Sequence, residues 1–207
     1  MTARTLTVDA RRIARWVAGF ADRHGDVRVE VTDAGLCLSA ADGARAVLSA
    51  PFAGTAADPV ALAAAVLAPR RFAGVLARRG GYACAVVTPD AVLGSKVGTR
   101  YVQGRTAAGG WSQHRFARRR DNQTEDLVRH CADVAVRILD PSAAGFDGLL
   151  TGGDRTLVER VLVDPRLRPL TVLKRLPHLA VGDPRSDVVK ALPEHVRAVT
   201  VVLDEPV

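Results

Sequence analysis

The sequence predicts an α/β protein built on a mixed sheet, with a helix and a β-meander ahead of it. Three observations carry that expectation. Apolar stretches of strand length alternate with helical periodicity from about residue 70 to the end. Residues 27–48 alternate with period 2 and break twice at Asp/Gly turns. A long stretch, 112–139, carries Leu127, Cys131, Val134 and Ile138 at 4-3-4 spacing, the stripe of a half-buried helix.

The elements follow in order. Over 9–23, Ile13, Trp16, Val17 and Phe20 recur at helical spacing with arginines between them, and Asp9 suits an N-cap. Val27, Val29 and Val31 alternate, then Leu36 and Leu38, then Ala46 and Leu48, which predicts three strands joined by tight turns. Asp58-Pro59 opens an Ala-rich helix to about Leu67, with proline at the first helical position. Pro69 marks a boundary, so residues 1–68 form one segment and 69–207 a second domain. Three strands follow: Phe72–Arg78, Tyr82–Val87 and Ala91–Gln103, across turns at Gly80-Gly81 and Pro89-Asp90. The long helix ends at Asp140-Pro141. Beyond it the pattern predicts a strand at Phe146–Leu150, a helix at Asp154–Leu162 and strands at Leu170–Leu173 and His178–Val181. A helix from Asp183 to Leu192 and a β-branched strand at Val196–Leu203 close the chain.

Composition narrows the function classes. The 207 residues are 48% hydrophobic and 25% charged, ordinary for a globular chain with a sizeable core. No apolar run reaches the roughly 18–20 residues of a membrane helix, and the N-terminus lacks a signal-peptide core, so a cytoplasmic protein is expected. Cys37, Cys84 and Cys131 sit among apolar residues, as buried reduced thiols do. His24, His130, His178 and His195 lack metal-ligand spacing, so no metal and no cofactor are expected. Gly152-Gly153-Asp154 reads as a turn and N-cap, and no Walker sequence or Gly-x-Ser-x-Gly elbow occurs.

Charge singles out one run. Lys96, Arg100, Arg105, Arg115, Arg118, Arg119 and Arg120 lie between residues 96 and 120 without an intervening acid. With these seven set aside from 29 Lys and Arg, 22 remain against 22 Asp and Glu, so the run carries the whole net charge of +7. Such an excess points to a polyanion, nucleic acid first. The run turns at Gly109-Gly110 and continues Trp111-Ser112-Gln113. Arginines suit phosphate, and Trp111 and Tyr101 suit stacking on unpaired bases. Gln113 does not titrate. It can orient water or stabilise an oxyanion but cannot act as a base. On spacing alone, a glycine hairpin leading into a solvated basic helix fits as well. His114 reads as an exposed neighbour on that helix rather than a proton shuttle.

The stretch TRYVQGRTAAGGWSQHRFARRRDNQ resembles the catalytic loop of the Vms-like release factor (VLRF) family, and especially its actinobacterial peptidyl-tRNA hydrolase branch. That family is related to eukaryotic peptide-chain release factor 1, whose catalytic domain carries Gly-Gly-Gln. The likeness rests on Arg100-Tyr101, Arg105, Gly109-Gly110, Gln113 and the following Arg118, Asp121 and Asn122. It covers roughly Phe72 to Leu139, continues loosely beyond, and leaves 1–68 unexplained. It implies a release-factor catalytic-domain-like fold over 69–207, with peptidyl-tRNA and the large ribosomal subunit as partners and neither membrane nor DNA. Gln113 is then the catalytic glutamine, with Gly109 and Gly110 as its lead-in. Lys96, Arg100, Tyr101, Arg105, Trp111, Arg115, Arg118, Arg119 and Arg120 would contact RNA. Trp111-Ser112 are inserted relative to Gly-Gly-Gln. Release factors hydrolyse the peptidyl ester, whereas Vms-type members cut the tRNA before its terminal CCA. The resemblance therefore implies hydrolysis, with tRNA endonuclease activity or a non-catalytic RNA- or ribosome-binding module as alternatives.

Overall fold

The computed structural model describes residues 3–99, 111–140 and 145–206, with the backbone alone for 111–117. Two compact units emerge: residues 1–69 with 194–207, and residues 70–193. The second domain read from the sequence ran to 207. Instead its last strand, β10 (Ala198–Asp204), lies in the first unit's sheet. Its partner there is β1 (Arg4–Asp9), paired antiparallel from Arg4↔Leu203 to Asp9↔Ala198. Sequence reading missed β1 because only Leu6 and Val8 mark its alternation.

The first unit is a five-stranded antiparallel sheet, ordered β1-β10-β4-β3-β2, with β2 (Val27–Thr32), β3 (Gly35–Ala40) and β4 (Arg45–Ser49) forming the expected meander. Asp9 caps a 3₁₀ turn, Ala10–Arg12, which leads into α1 (Ile13–His24). α2 (Pro59–Leu67) is capped by Asp58, whose carboxylate accepts the Ala61 N–H at 2.8 Å. Ile13 and Phe20 of α1 and Leu62 and Val66 of α2 share a core with Leu38, Leu48, Val201 and Leu203 of the sheet.

An ion pair ties the two ends of this unit. Arg197 Nε donates to Asp9 Oδ2 at 2.9 Å, and the Arg11 N–H donates to Asp9 Oδ1 at 2.9 Å. Burial pushes the Asp9 carboxyl up, but these donors and the Arg197 charge outweigh it and hold the carboxyl below its usual value. The Arg197 side chain is 8% exposed and that of Asp9 25%. Asp9→Ala is expected to destabilise the first unit by about 2 kcal/mol, less than the roughly 3–5 kcal/mol for a fully buried pair, because Asp9 still meets water. Because the folded value is lowered, the contribution is complete above the unfolded carboxyl value near pH 4 and is lost as pH falls through the lower folded value. Urea melts of both proteins across pH 2–7 check this: the gap between them must close in acid.

The second unit is a mixed five-stranded sheet, ordered β7-β6-β5-β8-β9. Its strands are β5 (Phe72–Arg78), β6 (Gly81–Val87), β7 (Val92–Thr99), β8 (Gly148–Gly153) and β9 (Lys174–Arg175). β5, β6 and β7 pair antiparallel, while β5–β8 and β8–β9 are parallel. The mixed sheet and its helices agree with a release-factor-like α/β fold. β5 and β6 are buried almost end to end, as strands covered on both faces are. α3 (Trp111–Leu139) lies on β6, and α4 (Arg155–Leu162) packs beside it. Their core joins Val75, Tyr82, Cys84 and Leu149 to Leu127, Cys131, Ala135 and Leu139 of α3.

The C-terminal half departs from sequence expectation where proline intervenes. Leu170–Leu173 is no strand: Pro169 sits in the first turn of a short helix, α5 (Arg168–Thr171), where its missing N–H costs nothing. At His178–Val181 only one bridge forms, Gly152↔Leu179, with Pro177 just ahead of it, while Lys174–Arg175 makes the strand. The helix expected over 183–192 is two, α6 (Ser186–Lys190) and α7 (Leu192–Val196), because Pro193 cannot continue α6. Gly152-Gly153 continues β8 rather than turning. Gly153 has φ +92°, and a Cβ there would lie 2.3 Å from the Ala77 carbonyl oxygen, so only glycine fits. Asp154 then caps α4 as expected.

Candidate RNA-facing site

The site is built on β7 and α3. β7 is an edge strand, held to β6 by an antiparallel ladder that shifts register once, between Val86 and Val87, and runs regularly from Val86↔Gly94 to Gly81↔Thr99. Gly98 sits directly opposite Tyr82, and a Cβ on it would come within 2.3 Å of the tyrosine ring. The buried Tyr82 ring thus lies on the bare backbone of β7, seating the strand against the core.

Lys96 lies opposite Cys84 in this ladder, and residues directly opposite share a face. Cys84 points into the core under α3, so exposed Lys96 stands on the α3 side of the sheet. Arg100, at the same parity, lies outside the described residues, as do Tyr101, Arg105, Gly109 and Gly110. Trp111, Gln113 and Arg115 fall in the first turns of α3, and their side chains lie outside the described residues. Arg118 and Arg119 are exposed, and Arg120 is half-buried. The structure therefore brings Lys96 and the Arg118–Arg120 triplet to one face of one sheet, where the sequence placed them on separate elements.

Burial along α3 splits the helix. From Leu127 onward it is embedded; at 118–126 every residue is exposed or half-buried. The stripe runs slightly off the expected line, with Ala135 and Leu139 fully inside and Ile138 half-buried. Charge splits it in the same place. Glu125 pairs with Arg160, Asp126 with Arg129, and Asp133 accepts from Arg166 at 2.8 Å. Arg166 also binds Asp164 at 2.7 Å; that hydrogen bond pulls the Asp164 carboxyl down and pushes the guanidinium up. This clamp fixes the embedded part of α3 to the turn after α4, and sequence reasoning missed it because its partners lie 33 positions apart. Arg118, Arg119, Arg120 and Lys96 have no ion pair among the described residues. A row of unneutralised cations on a solvent-facing helix end suits successive phosphates.

Other candidates resolve structurally. Cys84 Sγ donates to the Cys131 carbonyl oxygen at 3.7 Å; hydrogen bonding with the Cys131 side chain and burial push the Cys84 thiol well up, and Cys37 is also buried. His178 joins the Thr151 hydroxyl at 2.9 Å and the Gly153 carbonyl at 3.1 Å, which ties the segment after β9 to β8. Among the described residues no group of three or more His, Cys, Asp or Glu is arranged to hold a metal. None of the described helices is long and apolar enough to cross a membrane.

A mixed sheet whose edge strand precedes a long helix with a cationic start defines the class, a release-factor-like domain. The family described as Actinobacteria/chloroflexi VLRF1 release factor matches residues 70–202, and the chain belongs to it. The match takes in the whole second unit and ends within β10. No curated protein matches the chain.

Proposed function

We propose that this chain is a peptidyl-tRNA hydrolase of ribosome rescue, working in the cytoplasm and freeing nascent chains from tRNA on stalled large ribosomal subunits. Membership of a release-factor family supports a role in translation. The observation that carries the finer reading is the unpaired cationic face of Lys96 and Arg118–Arg120, at the two ends of the segment containing Gly109, Gly110 and Gln113.

In this reading the cations hold RNA phosphates, with Arg100, Arg105 and Arg115 as further phosphate contacts and Tyr101 and Trp111 stacking on bases. Water attacks the carbonyl carbon of the peptidyl ester. The carbon–oxygen bond to the terminal ribose breaks, leaving a peptide carboxylate and a free tRNA hydroxyl. Gln113 orients the water and stabilises the developing oxyanion. Its amide takes no proton, so the water's proton passes to the leaving ribose oxygen or to solvent. Gly109-Gly110 let the backbone approach the acceptor end closely.

The insertion of Trp111-Ser112 ahead of Gln113 makes the bond cleaved the decisive observable. Incubation with purified stalled large-subunit complexes is expected to give tRNA with an intact CCA end and a peptide with a free carboxylate. A tRNA shortened by CCA, with those nucleotides still on the peptide, would replace hydrolysis by endonuclease activity. Salt-sensitive binding without turnover would leave a binding module.

A further inference from the structure

The first unit carries a second cationic surface, outside the segment that matches the family. A groove of about 550 Å³ runs between β1 and α1. β1 is an edge strand of its sheet. Leu6 and Val8 of β1 line the groove from one side, and Trp16 of α1 from the other. Trp16 is half-buried and stacks on Phe20, ring centroids 5.6 Å apart and planes 13° apart.

Arg12, Trp16, Gly19 and Arg23 follow one another at 4-3-4 spacing, so they line one face of the helix, with Arg15 beside them. Arg12, Arg15 and Arg23 are exposed, and none has an ion pair among the described residues. The acid bordering the groove is Asp9, and it is already engaged by Arg197 and the Arg11 N–H. Asp22 shares the helix but does not line the groove. Gly19 has no side chain to fill its middle, and a Cβ there would meet only Arg23 Nη1, at 3.6 Å. The eleven helical steps from Arg12 to Arg23 extend about 16 Å along the axis, long enough for several successive phosphates.

We propose that this groove binds single-stranded RNA, with phosphates on Arg12, Arg15 and Arg23 and a base against Trp16. Three free cations beside an aromatic ring match the chemistry of sequence-tolerant strand binding. An acidic peptide adding to the edge of β1 would use the arginines but has no need of an aromatic ring. The proposal is independent of the hydrolase reading. It gives the first unit a role of its own in holding RNA.

Two tryptophans occur in the chain, so Trp111→Phe leaves Trp16 as the sole reporter. In that full-length background, a short oligouridylate is expected to quench Trp16 fluorescence in a salt-dependent way. Replacing Arg12, Arg15 and Arg23 together by glutamine should weaken the quench by about tenfold or more, and flatten the slope of log affinity against log salt by about 2. Gly19→Leu, which fills the groove with a good helix former, should weaken it with the thermal midpoint held. Failure of RNA to quench Trp16, or a quench unchanged in both variants, overturns the proposal. A quench by polyglutamate but not by RNA replaces it with peptide binding. Gln113→Ala should leave the quench intact, so loss of catalysis and loss of this site read out separately.

Discussion

Gln113→Ala is expected to lower peptide release from stalled large-subunit complexes by about 10²–10³-fold, the usual loss when one oxyanion-stabilising donor is removed. Binding should stay within about threefold, because affinity rests on the cations and each phosphate contact adds its own share. A fall in the single-turnover rate at saturating protein, with the half-saturation point unmoved, separates a transition-state role from a binding one. Gln113→Glu should fare no better. A carboxylate only accepts hydrogen bonds at neutral pH and places a negative charge beside a developing oxyanion. A variant that recovers release as pH rises would instead reveal a general base, which the amide cannot be. Release at the parental rate from the alanine variant would remove Gln113 from the mechanism.

Along the chain, elements marked by local signals were legible and pairings between distant residues were not. The β5–β6–β7 hairpins were legible because Gly80-Gly81 and Pro89-Asp90 punctuate apolar runs at strand length. The long helix was legible because its period is local: Leu127, Cys131 and Val134 recur within about two turns. The β1–β10 pairing was not, since Asp9 and Ala198 meet across nearly the whole chain and no local signal encodes that distance. α5 was misread because a short, mostly apolar stretch, Leu170-Thr171-Val172-Leu173, suits strand and helix alike, and only the first-turn preference of Pro169 decides. At the site, parity showed that Lys96 has a definite face but not that α3 covers the same one. That needed the register Lys96↔Cys84 and the burial of Cys84 beneath Cys131. The unpaired state of Arg118–Arg120 was equally invisible. Of the acids next in sequence, Asp121 makes no ion pair among the described residues, and Glu125 and Asp126 turn to Arg160 and Arg129 instead.

Leu127 is where these threads meet, and its truncation should have the largest effect on the fold. It is fully buried, and it is the first core residue of α3 after the cationic turns. Leu127→Ala is expected to cost about 3–4 kcal/mol, combining lost transfer energy with the cavity left between α3 and the sheet. Leu139→Ala, near the other end of the same helix and equally enclosed, should cost a similar amount. Val163→Ala, at a residue 79% exposed, should cost under about 0.5 kcal/mol. The two core variants should nevertheless differ in function. Removing Leu127 loosens the boundary from which Arg118–Arg120 project, so local opening of those turns becomes cheaper than global unfolding. RNA affinity of Leu127→Ala should therefore fall at temperatures well below its melting midpoint, while Leu139→Ala keeps its affinity until it melts. Hydrogen exchange at 118–126 should report the same contrast, faster in the first variant and unchanged in the second. Equal loss of affinity in both would mean that the cations depend on overall folding alone. A cost below about 1 kcal/mol for Leu127→Ala would mean that the helix is anchored elsewhere, by the Asp133–Arg166–Asp164 clamp.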